Sequence, residues 1–356
     1  MNIGILTSGG DCPGLNAAIR GVAKASYEMF DEVTIFGIED GYYGLIHGKY
    51  KEMNPFDFSG ILTLGGTIFG TSRQPFKKMR QIGDDNINKV EAMVENYKKM
   101  NLDCLITIGG NGTHKTANLL SSEGLNVIGL PKTIDNDLWG TDITFGFHTA
   151  VDIATDVIDR IHTTASSHGR VMLIELMGHK AGWLNLYAGV AGGADIVLIP
   201  ELPFEHKKII QAVENRTKEG KKFSIIAIAE GAVSKKEALM SNKERAKYRK
   251  ESGYHTVSHR IAEKIQTKTG LETRVVSPGH TVRGGSPSPY DRILSTRFGV
   301  HAAELIRDKK YGRTVALNNN EITSNKLSDI AGKLKLVPKE CEMVTDARNL
   351  GISFGD

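Results

Sequence analysis

The chain has 356 residues, 40% hydrophobic and 24% charged, enough to bury one large core or two ordinary ones. Its net charge of +4 comes without a Lys/Arg block interleaved with aromatics, which argues against nucleic acid as a partner. Cys12, Cys104 and Cys341 show no CxxC or Cys/His spacing, so neither a zinc site nor a disulfide framework is indicated, and no run approaches the ~20 apolar residues needed to cross a bilayer.

The first residues form an apolar strand, Ile3 to Leu6, without a basic leader; a cytoplasmic protein with no membrane partner is expected. Short apolar, β-branched runs then recur, each ending in a glycine-containing turn: IGILTSGG, VTIFGI, CLITIGG, NVIGLP, RVMLIELMG, ADIVLIPE, FSIIAIAEG and TRVVSPG. They read as buried parallel strands. Helical stretches such as Asn16 to Met29 and His114 to Leu120 lie between them, so the pattern predicts a doubly wound, Rossmann-like α/β fold. The charged stretch Lys235 to Lys250 is expected to be one exposed helix near a crossing between lobes.

In open parallel sheets ligands bind beyond the carboxyl ends of the strands. The turn Thr7 to Gly14 has glycines that let backbone approach a ligand, ahead of a helix offering free N–H groups to an anion. Gly109 to Thr116 misses the GxxxxGK[ST] pattern by one residue, His114 standing in place of a glycine, so a different phosphate-binding turn built from Gly109, Gly110 and Gly112 is expected. Pro131 to Asp137 packs two carboxylates, an amide, a hydroxyl and an ammonium into seven residues, groups able to take a hydroxyl proton or hold Mg²⁺ in its water shell. Cationic and polar groups recur at strand ends, including Arg73, Arg170, His179, Glu230, Arg274, His280 and Arg283. Arginines give phosphate oxygens bidentate contact. No GxGxxG follows the first strand, which argues against a dinucleotide-dependent oxidoreductase.

Taken in order, TSGGDCPGLNAAIRG, EDGYYGL, GGTIFGTSR, GGNGT, PKTIDND, ASSHGRVMLIELMG, GGADIVLIPE and ETRVVSPGHTVRGG closely resemble the phosphofructokinase family. The resemblance implies two similar α/β lobes with the active site in the cleft between them. It places a donor-binding lobe at residues 1–138 plus about 259–309 and a sugar-phosphate lobe at 139–258 plus about 310–356. It implies phosphoryl transfer from ATP or pyrophosphate, with Mg²⁺, to fructose 6-phosphate, giving fructose 1,6-bisphosphate in glycolysis. Asp135 becomes the base that takes the 1-hydroxyl proton, with Thr133, Asp137 and Arg73 as its catalytic company. Gly10, Tyr42, Arg73, Gly110, Asn111, Gly112, Thr113 and Lys132 would hold the donor. Thr133, Asp135, Met177, Gly178, His179, Glu230, His280 and Arg283 would bind the sugar phosphate. Arg170 and Arg274 would reach a neighbouring subunit's site, which implies a homo-oligomer, a dimer or a tetramer.

Two positions bear on the donor. Pyrophosphate users of the family resemble one another in an aspartate where this chain has Gly112, and the open space favours ATP. Lys132 is typical of pyrophosphate users, but a flexible ammonium swings aside more easily than a short carboxylate on a tight turn. Asn111 stands where the family usually has an aspartate near the metal, and is carried over as the metal-contacting residue although its amide brings no charge. A pyrophosphate-dependent enzyme and a non-catalytic sugar-phosphate sensor are the alternatives.

Overall fold

Apolar runs form most of the strands of two sheets. In chain order the strands are β1 (Asn2–Ser8), β2 (Thr34–Ile38), β3 (Tyr50–Met53), β4 (Cys104–Gly109), β5 (Val127–Pro131), β6 (Val171–Leu176), β7 (Ile196–Leu198), β8 (Ser224–Ala229), β9 (Thr273–Val276), β10 (Arg313–Asn318) and β11 (Glu321–Lys326). The computed structural model describes residues 1–82 and 86–356. It divides into a first unit of residues 1–149 and 283–335 and a second of 150–282 and 336–356.

The first unit carries a seven-stranded sheet in the order β11-β10-β5-β4-β1-β2-β3. Its pairs are parallel except at the two ends, where β2/β3 and β10/β11 run antiparallel. Strands β4 and β5 are buried along their whole length, as near-continuous apolar sequence requires. The helix Leu15–Met29 starts directly after the first glycine-rich turn and packs against Pro289–Arg307. The second unit has an all-parallel sheet in the order β7-β8-β6-β9. Its core joins Leu173, Ile226 and Ile228 to Phe204, Ile209, Ile261 and Ile265 from the covering segments. The two sheets thus share parallel winding but differ in size.

The unit boundaries differ from those expected. Residues 259–282 belong with the second unit because β9 pairs with β6, and 310–335 belong with the first because β10 pairs with β5. Residues 139–149 also fall in the first unit. The stretch Lys235 to Lys250 lies inside the second unit rather than at a crossing, and forms two helices, Lys235–Ala238 and Asn242–Glu251. Each begins with a serine capping box, at Ser234 and Ser241. Among the described residues no helix is long and apolar enough to cross a membrane.

Candidate active site

In the first unit three cations converge on the turn after β1. A Cβ placed on Gly10 would stand 2.8 Å from Arg283 Nη1 and 3.6 Å from Arg73 Nη2, so glycine lets both guanidiniums lie against this backbone without displacement. Lys132, 4% exposed, donates from Nζ to the Gly10 carbonyl. Burial pushes its ammonium pKa down, with the Arg283 charge adding to the effect while Cys12, Asp11 and Asp135 oppose it. The Lys132 ammonium thus lies against the first glycine-rich turn. Arg283, expected on the sugar phosphate, donates to the Asp11 carbonyl at 3.2 Å. Its buried Nε has no hydrogen-bond partner among the described residues.

The turn after β4 opens the helix Asn111–Ser122 with Gly110 at its N-cap. Nothing stands within 4 Å of a Cβ added at Gly112, so the space expected there is present. Thr113 Oγ1 donates to the Ser8 carbonyl at 3.3 Å, joining this turn to the first. Tyr42 is only 1% exposed and its hydroxyl donates to the Thr113 carbonyl at 2.9 Å, so it supports the turn from behind. His114 occupies the place of the missing glycine for a structural reason. It is buried between the Gly110 carbonyl, 3.0 Å from Nδ1, and Thr314 Oγ1, 2.8 Å from Nε2. Burial brings its pKa down to about 4, so the ring is neutral near pH 7. Asn111 Oδ1 accepts the Gly332 N–H at 2.9 Å and its Nδ2 donates to the Lys333 carbonyl at 3.3 Å.

The loop after β5 is fixed from several sides. The Asp135 N–H donates to Thr133 Oγ1 at 3.0 Å, and Thr144 Oγ1 donates to the Thr133 carbonyl at 2.8 Å. Asn136, 2% exposed with φ of 49°, ties Thr144 and Asp142 together through its amide. Lys335 donates from Nζ to Asn136 Oδ1, the Thr141 carbonyl and the Asp142 carbonyl at 3.0, 2.9 and 2.6 Å. The buried carboxylate of Asp291 accepts the Gly146 and Thr149 N–H groups at 2.9 and 2.7 Å, anchoring the exit of the loop. Asn136, Asp291 and Lys335 were not singled out in the sequence. Asn136 is the amide counted in PKTIDND, though no structural role was attached to it.

In the second unit the turns after β6 and β8 meet. The His179 N–H donates to Glu230 Oε1 at 2.9 Å, and the Glu230 N–H to the Leu176 carbonyl at 2.9 Å. Met177 and Gly178 lie between them in the chain, and His280 is exposed in the short helix Gly279–Arg283. Arg170 and Arg274 lie elsewhere. Both grip Glu272, Arg170 Nε at 2.9 Å, and Arg170 precedes the amino end of β6 while Met177 follows its carboxyl end.

A family model described as Phosphofructokinase matches residues 2–306. The chain belongs to the phosphofructokinase family. It is 58% identical to the ATP-dependent 6-phosphofructokinase of Spirochaeta thermophila over 99% of this chain and 97% of that one. It is 48% identical to ATP-dependent 6-phosphofructokinase 3 of Bacteroides thetaiotaomicron over the full length of both. Among solved structures, the phosphofructokinase of Saccharomyces cerevisiae superposes with a TM-score of 0.80 at 29% identity, over 92% of this chain and 45% of that larger one. The pyrophosphate-dependent phosphofructokinase of Marinobacter aquaeolei shares the fold, with a TM-score of 0.82 at 19% identity over 98% of this chain and 90% of that one.

Phosphofructokinase chemistry implies Mg²⁺. No group of three or more His, Cys, Asp or Glu side chains among the described residues forms a cage for a metal. Mg²⁺ serving a phosphoryl donor takes most of its ligands from phosphates and water, needing only one or two carboxylates. Asp135, close enough to Lys132 for its charge to act on that ammonium, fits that requirement. The Asn111 amide is engaged by the backbone at Gly332 and Lys333.

Proposed function

We propose that this chain is a cytoplasmic, homo-oligomeric 6-phosphofructokinase of glycolysis that transfers the γ-phosphoryl group of ATP to the 1-hydroxyl of fructose 6-phosphate. The observation that carries the reading is the convergence of Arg73, Arg283 and Lys132 on Gly10, next to a loop that holds Asp135 rigidly. Asp135 accepts the proton of the 1-hydroxyl as its oxygen bonds to the γ-phosphorus. The bond to the β–γ bridging oxygen breaks and ADP leaves. Arg73 neutralises charge on the transferring group, and the Gly110 to Thr113 turn with Gly10 holds the donor. Mg²⁺, when bound, would neutralise phosphate charge and orient the donor. Met177, Gly178, His179, Glu230 and His280 orient the sugar phosphate, with Arg170 and Arg274 supplied by a neighbouring subunit. Little covalent chemistry is asked of the protein, so positioning and charge carry the rate.

Open space at Gly112 supports ATP as the donor, while the presence of a lysine at 132, beside the Gly10 turn, leans towards pyrophosphate. Fructose 1,6-bisphosphate formation is to be measured with Mg²⁺ and each donor in parallel, with Asp135→Asn as control. Turnover is expected with ATP, and Asp135→Asn should lower kcat by ~10²–10⁴-fold with little change in KM. Turnover with pyrophosphate alone would assign donor choice to Lys132, and turnover with neither would favour a sugar-phosphate sensor.

A further inference from the structure

The segment Gly332 to Lys335, far along the chain from every motif above, touches both turns that the proposed reaction must align. Gly332 and Lys333 take both ends of the Asn111 amide, at the start of the donor turn. Two residues on, the Lys335 N–H donates to the Asp137 carbonyl at 2.9 Å, and Leu334 bridges to Leu138. The Lys335 side chain then enters the loop and donates to Asn136 Oδ1 and to the carbonyls of Thr141 and Asp142. An ammonium has three N–H donors, and these three acceptors match that number. Asn136 Oδ1 also takes the Thr144 N–H, and Thr144 holds the Thr133 carbonyl, so two further hydrogen bonds join the lysine's acceptor to the backbone on the other side of Asp135. Burial lowers the Lys335 pKa to about 8, against the pull of Asp142 and Asp137.

We propose that Lys335 is a positioning residue for phosphoryl transfer: it fixes the Thr133 to Thr144 loop so that Asp135 meets the acceptor hydroxyl, while Gly332 and Lys333 tie the donor turn to the same short strap. This rests on the reading of Asp135 as the base. A strap that holds both turns sets the separation of donor and acceptor, and misplacement by about 1 Å at such a centre costs ~10²-fold in rate. The effect therefore belongs in kcat rather than in the affinity for either substrate.

The test compares wild type with Lys335→Met, Lys335→Gln and Lys335→Arg, each also combined with Asp135→Asn, reading kcat, both KM values and melting temperature. In Lys335→Met kcat should fall ~10–100-fold with each KM within about threefold of wild type. Lys335→Arg, which keeps the charge and several donors, should recover part of the loss, with Lys335→Gln between the two. On the Asp135→Asn background the same substitutions should change kcat by less than about threefold, because the lysine acts through that carboxylate. If Lys335→Met fails to fold, the Gln and Arg variants decide the question through the same kcat-to-KM split. Undiminished kcat in the Lys335 variants, beside an Asp135→Asn enzyme that has lost turnover, overturns the positioning role alone. Full turnover in Asp135→Asn would overturn the base assignment first, and with it any action of Lys335 through that residue. An equal fold-loss on both backgrounds would make Lys335 a purely structural lysine.

Discussion

A side chain at residue 112 would meet open space, so an aspartate there can be accommodated without disturbing the fold. Its charge would face the donor's phosphates at the start of a helix, where ATP must place one phosphate more than pyrophosphate does. Gly112→Asp is therefore expected to leave the melting temperature unchanged while lowering kcat/KM for ATP by ~10²-fold. Efficiency with ATP within about threefold of wild type would take donor choice away from this position. His114, four residues from Gly110 and bonded to its carbonyl, is a second control on the same turn. Folding depresses its pKa from 6.5 to about 4, so between those values the unfolded chain binds the extra proton. Stability should fall as pH drops through that window, by up to about 1.4 kcal/mol per pH unit from this group. His114→Gln should remove one proton from the slope of urea stability against pH, leaving the share of His206, which burial likewise lowers to about 4. An unchanged slope would sink the assignment. At this scale the sequence was informative wherever chemistry is contiguous, as in TSGGDCPG or PKTIDND. It was silent on Lys335 because 199 positions separate that lysine from Asn136, and nothing local to LKLVP marks its role.

All eight apolar runs became strands with parallel partners, and the unbroken apolar signature is matched by burial along the whole length in β4, β5 and β8. The strands that escaped notice are β3, β10 and β11. β3 and β11 are edge strands, largely exposed and polar, and β10 has only three apolar residues, Val315 to Leu317, inside a polar stretch. The highly charged Lys235–Lys250 stretch hid a different feature. Glu237 is fully buried and grips Arg260 at 2.6 Å and Arg249 at 2.9 Å, while Ser234 caps it. Burial alone would raise its carboxyl pKa, but Arg260, Ser234 and Arg249 together hold it down at about 2. A depressed carboxyl stabilises the fold above its unfolded pKa, and that contribution is lost as pH falls from 4.5 towards 2. Removing the carboxylate strands two cations, one of them Arg260 with 5% of its side chain exposed, so Glu237→Ala should destabilise the second unit by about 3–5 kcal/mol in denaturant unfolding. A loss below about 1 kcal/mol would mean that both arginines find other partners or water once the carboxylate is gone.

The placement of Arg170 and Arg274 bears on the assembly. Both are fixed on Glu272, whereas His179 and Glu230 meet beyond the opposite ends of β6 and β8. Six residues of extended chain between Arg170 and Met177 span about 20 Å, too far for one fructose 6-phosphate to touch both within the same unit. If these arginines serve a neighbouring subunit, each complete site needs Asp135 from one chain and Arg170 from another. Alone, Asp135→Asn should be nearly inactive, and Arg170→Ala should raise the KM for fructose 6-phosphate ~10–100-fold. The two variants, mixed, dissociated and reassembled, are expected to complement each other. Random pairing puts half the pairs in the hybrid state, and one of the two sites in a hybrid is intact. Recovery of about a quarter of wild-type activity at low fructose 6-phosphate is the expected result for sites shared pairwise under closed symmetry. Activity that stays at the average of the two variants would place Arg170 outside any shared site and leave it as a partner of Glu272 only.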